Sequence, residues 1–163
     1  MEQVLDDIDR RLVEALREDA RASYAQLARA VGLSAPSVQD RVRRLERRGV
    51  LTGFRAVVDP GAVGLGVTAL VGIHQADSAE QDDVAARLST VHQVEDCWLV
   101  AGDEAFVVKV RVPDVAALEG AIAALRRVEG VSRTRTTVVM STRWEGRAVP
   151  LPRPAGESAE GGV

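Results

Sequence analysis

Apolar positions in the first 50 residues recur every three or four residues, which predicts three amphipathic helices. Asp6 and Asp7 mark the start of the first helix, Ser23 that of a short second helix and Ser34 that of the third, and these side chains suit helix N-termini. Gly32 is placed to end the second helix, and only Leu33 separates it from Ser34, the next N-cap. Two helices joined this closely predict a helix-turn-helix.

Beyond residue 66 the pattern changes to apolar runs of strand length. Strands are predicted at 67–73, 94–100, 105–112 and 131–140, with helices at 78–91 and after the N-cap candidate Asp114. The order strand–helix–strand therefore occurs twice, as in the ferredoxin-like βαββαβ fold. We predict the α+β class, with a helix-turn-helix before a ferredoxin-like domain.

Turn-forming residues mark the boundaries between these parts. Residues 50–59 look extended and contain Gly53 ahead of the turn at Asp59 and Pro60, which indicates a short wing or a connector. We therefore predict a winged helix-turn-helix domain at 1–52, a wing or linker at 53–65, a βαββαβ domain at 66–145 and a tail at 146–163. The tail is rich in Pro, Gly and Ser and is expected to be disordered.

The predicted sheet has one face without helices. Both helices of a ferredoxin-like fold cover the same face, so the other face meets solvent or a partner. The strands hold many Val, Leu and Ile residues. We therefore expect an apolar open face and a homodimer that packs sheet against sheet.

Composition describes a globular chain. Hydrophobic residues make up 46% of the 163 positions and charged residues 28%, which excludes disordered and fibrous classes. No apolar run reaches the roughly 20 residues that cross a bilayer, and the N-terminus is acidic, so we expect a cytoplasmic protein. The single cysteine, Cys97, excludes an internal disulfide, and we predict neither a metal site nor a cofactor.

The net charge of −3 conceals an uneven distribution. Residues 1–59 hold 11 arginines and 10 acidic residues, whereas residues 60–145 hold 8 basic and 12 acidic residues. Five arginines lie in the third predicted helix, and the arginine fork suits phosphate oxygens. Aromatic residues, at 3%, are too few for the base-stacking surfaces of single-strand binders, so double-stranded DNA is the expected partner.

The third predicted helix has the chemistry of a DNA-reading helix. Its outward side carries polar residues first and arginines later, as a helix in the major groove requires. The candidate DNA-contacting residues are Ser34, Ala35, Ser37, Gln39, Asp40, Arg43, Arg44 and Arg47. Gln39 suits adenine and Asp40 suits cytosine, while the arginines suit guanine or phosphate. The alternative is an ordinary solvated helix in which Asp40 and Arg44 form an i,i+4 pair.

Catalytic chemistry finds little support in the sequence. His74 and His92 lie far apart, and neither has a neighbouring nucleophile. Cys97 lies inside an apolar strand without a basic neighbour, so we expect it to be a buried small hydrophobe. We predict that the protein is not an enzyme.

The turn between the second and third strands offers the chemistry of a small-molecule site. Gly102 allows close approach of the backbone, whose N–H groups suit a carboxylate, and Asp103 or Glu104 suits an ammonium group. These are the requirements of a free amino acid. The alternative is a plain hairpin turn with solubilising acids.

Five motifs occur in order through both halves: Asp6-x-x-Asp9-x-x-Leu12, Leu27-Ala28-x-x-Val31-Gly32-Leu33-Ser34, Arg41-Val42-x-Arg44-Leu45-Glu46-x-x-Gly49-Val50-Leu51, Val100-x-Gly102-Asp103 and Val131-x-x-Thr134-x-Thr136-x-Val138-Val139-Met140. Together they resemble the Lrp/AsnC (feast/famine) transcriptional regulators over about residues 4–142. The resemblance implies a winged helix-turn-helix and a ligand-binding domain called RAM, which forms dimers and often octamers. It also implies an amino-acid effector bound between dimers near the Gly102 turn.

One position departs from the family pattern. Ala105 stands where the family usually has an acid that helps to hold the effector's amino group. Either Asp103 or Glu104 replaces that acid, or the effector differs, or the response is lost. The candidate effector-binding residues are Trp98, Leu99, Val100, Gly102, Asp103, Glu104, Met140, Ser141 and Thr142. Because no lysine or arginine lies near the turn in sequence, we expect an apolar or aromatic effector side chain.

These observations predict a sequence-specific DNA-binding transcriptional regulator that responds to an amino acid or a related metabolite. An architectural DNA-compacting protein is one alternative, and it would differ in the ratio of specific to random DNA affinity. A metabolite-binding oligomer whose helical segment does not read DNA is another. Such a segment would carry a second apolar stripe, which residues 34–48 lack.

Overall fold

The computed structural model of the protein describes residues 5–152. Internal contacts divide the chain into two units. The first unit consists of the segment up to Ala56 and the segment from Trp144 onwards, and the second spans Val57–Arg143. Residues 146–152 of the predicted tail carry no helix or strand, and residues 153–163 lie outside the described residues. Within the described part, no helix is both long enough and apolar enough to cross a membrane.

The first unit contains the predicted helix-turn-helix. Its helices are α1 (Asp7–Glu18), α2 (Tyr24–Val31) and α3 (Ala35–Arg47). Ser23 forms a capping box with Gln26, and the Ser34 hydroxyl accepts a hydrogen bond from the Ser37 backbone N–H. Gly32 ends α2 at φ 74°, a left-handed conformation that favours glycine. The chain therefore turns tightly from α2 into α3.

The three helices bury one shared apolar core. Its buried members are Leu12, Leu16, Leu27, Ala28, Val31, Val38 and Val42. Leu12 of α1 and Val38 of α3 are fully buried, so each of these helices turns one side towards the shared core. This packing leaves the opposite side of α3 exposed.

The segment after α3 forms no strand. Residues 52–59 have no regular secondary structure, and a short 3₁₀ turn at Gly61–Val63 follows. A wing needs a partner strand to satisfy its backbone hydrogen bonds, and within residues 5–152 nothing pairs with this segment. Of the two predicted alternatives, a wing or a connector, the described chain has the connector.

The second unit has the predicted ferredoxin-like fold. Its elements are β1 (Val67–Gln75), α4 (Gln81–Leu88), β2 (Val94–Leu99), β3 (Phe106–Val112), α5 (Val115–Arg126) and β4 (Val131–Val138). The strand order is β2-β3-β1-β4, and every neighbouring pair is antiparallel. The α+β class is confirmed.

Apolar side chains of the central strands point towards the helices. On that side lie Ala69, Val71 and Ile73 of β1, with Phe106, Val108, Val110 and Val112 of β3, packed against Val84, Leu88, Leu118, Ala121 and Leu125 of the helices. Because strand side chains alternate, the residues between them point to the open face.

The open face is charged, and the prediction that it is apolar is wrong. Its ion pairs join Lys109 to Asp96, Arg111 to Glu95 and Arg135 to Glu104. Strand alternation explains the error, since most of the Val and Ile residues counted in the strands face the helices. Two large apolar side chains, Leu70 and Trp98, remain exposed.

We expect Gly130→Ala to destabilise the second unit. Gly130 has a φ of 91°, and an added Cβ would lie 2.6 Å from Val84 Cγ2. Strain and overpacking together predict a loss of roughly 1–3 kcal/mol. Gly120, inside α5, has no atom within 4 Å of an added Cβ, so Gly120→Ala should instead stabilise by about 0.5–1 kcal/mol. Urea unfolding of both variants checks this, and shifts of the same sign would contradict it.

Candidate nucleic-acid interface and ligand site

The outward side of α3 presents the predicted polar residues and two arginines. Ser37, Asp40, Arg43 and Arg47 are exposed, and Gln39 is half-buried. Arg43 and Arg47 form no ion pair or hydrogen bond with any side chain in residues 5–152. Their guanidinium groups are therefore available to an anion from outside this unit.

Ser34 and Ala35, at the start of α3, are engaged within the fold. The Ser34 hydroxyl caps the helix and lies 2.8 Å from the Ser37 hydroxyl. Ala35 is half-buried and packs against the helical core. Both residues belong to the helix start, and Ser37, whose hydroxyl lies beside that of Ser34, is the first exposed polar side chain within the helix.

Arg44 differs from the other predicted DNA-contacting arginines. Its Nη2 donates to Asp9 Oδ2 at 2.9 Å and to Asp9 Oδ1 at 3.2 Å. The i,i+4 pair with Asp40 does not form in the described chain. Arg44 therefore links α3 to α1 while its side chain stays 44% exposed.

Asp9 is the centre of an ion-pair cluster that sequence reasoning missed. We call Asp6, Asp9, Arg41, Arg44 and Arg48 the arginine–aspartate cluster. Asp9 is buried, at 1% exposure, and its Oδ1 accepts from Arg41 Nη1 at 2.7 Å, while Arg48 Nη1 lies 4.0 Å from its Oδ2. A signal was present in the sequence, because arginines at 41, 44 and 48 share one face of α3.

The pKa of Asp6 lies below its ordinary value of 3.8. Burial raises it, but hydrogen bonds from the Arg41 side chain and the Asp9 N–H lower it further than burial raises it. The charged carboxylate therefore stabilises the fold above pH 3.8, and this contribution is lost as the pH falls through the lowered value.

Acid unfolding tests this assignment. Asp6→Asn keeps a good N-cap but removes the charge, so the variant should lose less stability than wild type between neutral pH and about pH 3. Asp7→Asn is the matched control, because Asp7 is exposed in the same helical turn and forms no ion pair in residues 5–152. Equal acid sensitivity of wild type and Asp6→Asn would contradict the expectation.

The turn between β2 and β3 is open to solvent at Gly102 and Asp103. Gly102 has a φ of 152°, and no atom lies within 4 Å of an added Cβ. In residues 5–152, no hydrogen bond uses the backbone N–H of either residue, and no side chain pairs with Asp103. The turn therefore offers two backbone donors and one carboxylate.

Glu104 lies beside this turn but is already paired. Its Oε1 accepts from Arg135 Nε at 2.7 Å, and the hydrogen bond with Arg135 lowers the pKa of Glu104. The side chain crosses the open face above Gly72, where an added Cβ would lie 2.7 Å from Glu104 Cγ. Gly72 thus leaves room for the Glu104–Arg135 pair.

The arginine in this pair corrects an expectation drawn from the sequence. Arg135 reaches the turn from β4, and Arg133 Nη2 lies 3.2 Å from His74 Nε2 near the same end of the sheet. The premise that no basic side chain lies near the turn is therefore wrong. The antiparallel registers of β1 with β3 and of β1 with β4 together bring Glu104 to Arg135, 31 positions apart in sequence.

Met140, Ser141 and Thr142 do not share a pocket with the turn within one chain. Val139 N–H donates to the carbonyl of Thr68, whereas the turn enters β3 opposite Ile73. Thr68 and Ile73 are separated by about 16 Å along β1 at roughly 3.3 Å per residue. The two segments lie at opposite ends of the sheet within one chain. Because the site is expected between dimers, its lining by Met140, Ser141 and Thr142 stays a prediction.

The remaining predicted ligand residues flank the turn. Val100 N–H donates to the Ala105 carbonyl at 3.0 Å and closes the turn. Trp98, 46% exposed, lies on the open face, and Leu99, 61% exposed, points to the helix side. Trp98 is thus a large apolar side chain on the same face as the Glu104–Arg135 pair, and it lies across Val107 and Gly72 from Arg135.

The cysteine and the two histidines do not lie together in the described chain. Cys97 is exposed, contrary to the prediction that it is buried, because β2 is an edge strand. His74 lies beside Arg133, and His92 is exposed. Among residues 5–152, no group of three or more His, Cys, Asp and Glu side chains is placed to hold a metal ion.

Two features define the class of this protein. One is a helix-turn-helix whose second helix presents arginines to solvent, and the other is a separate ferredoxin-like unit with an open, charged turn. Together they define a DNA-binding transcriptional regulator with a sensor domain. Family profiles match both parts: an AsnC-type helix-turn-helix domain at residues 5–46 and an Lrp/AsnC ligand-binding domain at residues 67–149. The chain belongs to the Lrp/AsnC family.

Similar proteins support this assignment over most of the chain. The HTH-type transcriptional regulator LrpA of Mycobacterium tuberculosis is 45% identical over 147 residues, which are 90% of this chain and 97% of the relative. The leucine-responsive regulatory protein of Escherichia coli is 37% identical over 141 residues, covering 83% and 85%. A feast or famine regulatory protein from M. tuberculosis, solved in complex with L-methionine, has a TM-score of 0.85 and 44% identity and covers 91% of this chain and 100% of its own.

Proposed function

We propose that the protein regulates transcription by reading specific DNA sites with α3. Ser37 and Gln39 face base edges in the major groove, and Arg43 and Arg47 contact phosphates. The observation that carries this proposal is the division of α3 into a buried apolar side and an exposed side whose Arg43 and Arg47 have no partner in residues 5–152. The proposed role is regulatory rather than catalytic, and its proposed place is the cytoplasm.

Selection of bound fragments from genomic DNA tests the proposal. We expect a small set of enriched sequences, each bound at least about 10³-fold more tightly than random DNA. Uniform recovery of all fragments would favour an architectural protein. Repeating the selection with each amino acid present would show whether an effector changes the enriched set.

The effector site proposed is the turn at Gly102 and Asp103. The two free backbone N–H groups suit the α-carboxylate of an amino acid, and the unpaired Asp103 carboxylate suits its ammonium group. Glu104 is the weaker candidate for the ammonium, because its carboxylate already forms an ion pair with Arg135. The complex of a relative with L-methionine favours an apolar side chain, which Trp98 and Leu99 can flank.

Calorimetry with the twenty amino acids tests this site. L-methionine or L-leucine should bind wild type, and both Gly102→Val and Asp103→Asn should abolish the binding. Glu119→Gln is the control, because it removes a carboxylate from α5, away from the turn. If Asp103→Asn binds the amino acid as wild type does, another group must hold the ammonium. If wild type binds none of the twenty amino acids, the departure at Ala105 has removed the response.

We also propose self-association to a dimer and, as a further step, to an octamer. The support is the exposure of Leu70 and Trp98 on the open face, together with the use of paired half-sites by helix-turn-helix proteins. Half-sites should then lie about 10 bp apart or at a multiple of that spacing. Sedimentation at micromolar concentration tests the assembly, and a monomer there would contradict it.

A further inference from the structure

We propose that Asp9 is an internal counter-ion that withholds Arg44 from the DNA backbone and so limits binding that ignores sequence. The inference rests on the proposed role of α3 in DNA binding. It concerns how the four arginines of that helix and its C-cap, Arg48, are divided, and which of them an incoming phosphate can recruit.

The arginines of α3 occupy two sides of the helix. Arg41, Arg44 and Arg48 follow each other at three- and four-residue spacing and face the acids of α1. Arg43 and Arg47 lie on the exposed side without partners in residues 5–152. The positive charge that the sequence suggested for DNA is therefore partly neutralised within the fold.

Arg44 lies at the border between these two sides. Its side chain is 44% exposed, against 25% for Arg41 and 32% for Arg48, so it is the arginine of the arginine–aspartate cluster that solvent reaches most easily. Its Nη2 already donates to both oxygens of Asp9. A carboxylate and a phosphate present the same kind of charged acceptor to a guanidinium group, so the two compete for Arg44.

Burial and hydrogen bonds fix the position of the Asp9 carboxylate that competes with phosphate for Arg44. Its side chain is 2% exposed, its backbone N–H donates to Asp6 Oδ1 at 2.7 Å, and its Oδ1 also accepts from Arg41. Removing Arg44 from Asp9 would leave a buried carboxylate with fewer cationic partners, which is unfavourable. Arg44 therefore contributes less to phosphate binding than Arg43 or Arg47.

This division bears on specificity. Contacts to phosphate supply affinity for any sequence, and each one adds about 0.9 to the slope of log affinity against log salt. Holding Arg44 on Asp9 keeps this general affinity low while leaving the side chains that face base edges unchanged. Asp9 is thus a specificity-determining residue that does not touch DNA.

Salt titrations with a random-sequence duplex of about 30 bp test the proposal. Arg47→Ala should lower the salt slope by about 1, whereas Arg44→Ala should lower it by less than about half as much. Asp9→Asn should free Arg44, raise affinity for random DNA several-fold and increase the slope by about 1. Asp7→Asn is the matched control, since it removes the same charge from α1 without releasing an arginine.

The outcomes separate this inference from the proposed function. If Arg44→Ala and Arg47→Ala lower the slope equally, Asp9 withholds nothing and the inference is overturned. If neither variant changes the slope, the role of α3 in DNA binding fails, and the inference fails with it. If Asp9→Asn does not fold by circular dichroism, the comparison of Arg44→Ala with Arg47→Ala still decides. A folded Asp9→Asn that binds random DNA more weakly than Asp7→Asn would show a merely structural role.

Discussion

Replacing Gln39 with alanine is expected to weaken binding to the preferred DNA site by about 5- to 150-fold, the equivalent of roughly 1–3 kcal/mol. Gln39 follows the first turn of α3, half-buried but on the outward side, where an amide can pair with a base edge. Random DNA offers no matched base at that position, so its affinity should stay the same. Fluorescence anisotropy with the selected fragment and a random duplex measures both.

Arg47→Ala is the matched control for this experiment. Arg47 lies two turns later on the exposed side, and its proposed phosphate contact is the same for every sequence. It should weaken both duplexes about equally. If Gln39→Ala behaved as Arg47→Ala does, Gln39 would not be reading a base.

Leu12→Ala should unfold a large share of the first unit. Leu12 is fully buried in the core that α1 shares with α2 and α3. Truncating a buried leucine costs about 2–5 kcal/mol, and a unit of about 50 residues has a total stability of roughly 3–8 kcal/mol. DNA binding should fall with the folded fraction.

Circular dichroism melting of Leu12→Ala checks this expectation. Glu14→Ala is the control, because Glu14 is exposed on the same helix and its loss should change stability by about 0.5 kcal/mol or less. The sheet of the second unit should keep its own transition in both variants. A melting curve of Leu12→Ala that coincides with wild type would contradict the packing described for this unit.

Local chemistry made much of the fold predictable. Ser23 and Ser34 indicate helix starts, because their side chains accept a hydrogen bond from the backbone N–H three residues later. Gly32 indicates a helix end, because it adopts the left-handed conformation of a C-cap. Such signals act over a few residues, so they are readable in one sequence. The same holds for the double strand–helix–strand order of the second unit.

Long-range relations were the part that the sequence did not specify. The Glu104–Arg135 pair and the distance between Met140 and the Gly102 turn both depend on strand register, which one sequence does not state. The Asp9–Arg44 contact likewise crosses 35 positions. The choice between a wing and a connector after α3 depends on the same kind of relation, since a strand exists only where another segment pairs with it.

The most direct test of the account compares wild type with the Arg43→Ala/Arg47→Ala double variant in a salt series. Both proteins are titrated into a fragment selected from genomic DNA and into a random duplex. We expect the double variant to bind both duplexes more weakly by the same factor, and we expect its salt slope to fall by about 2. An unchanged slope with unchanged affinity for both duplexes would contradict the claim that the exposed side of α3 binds DNA.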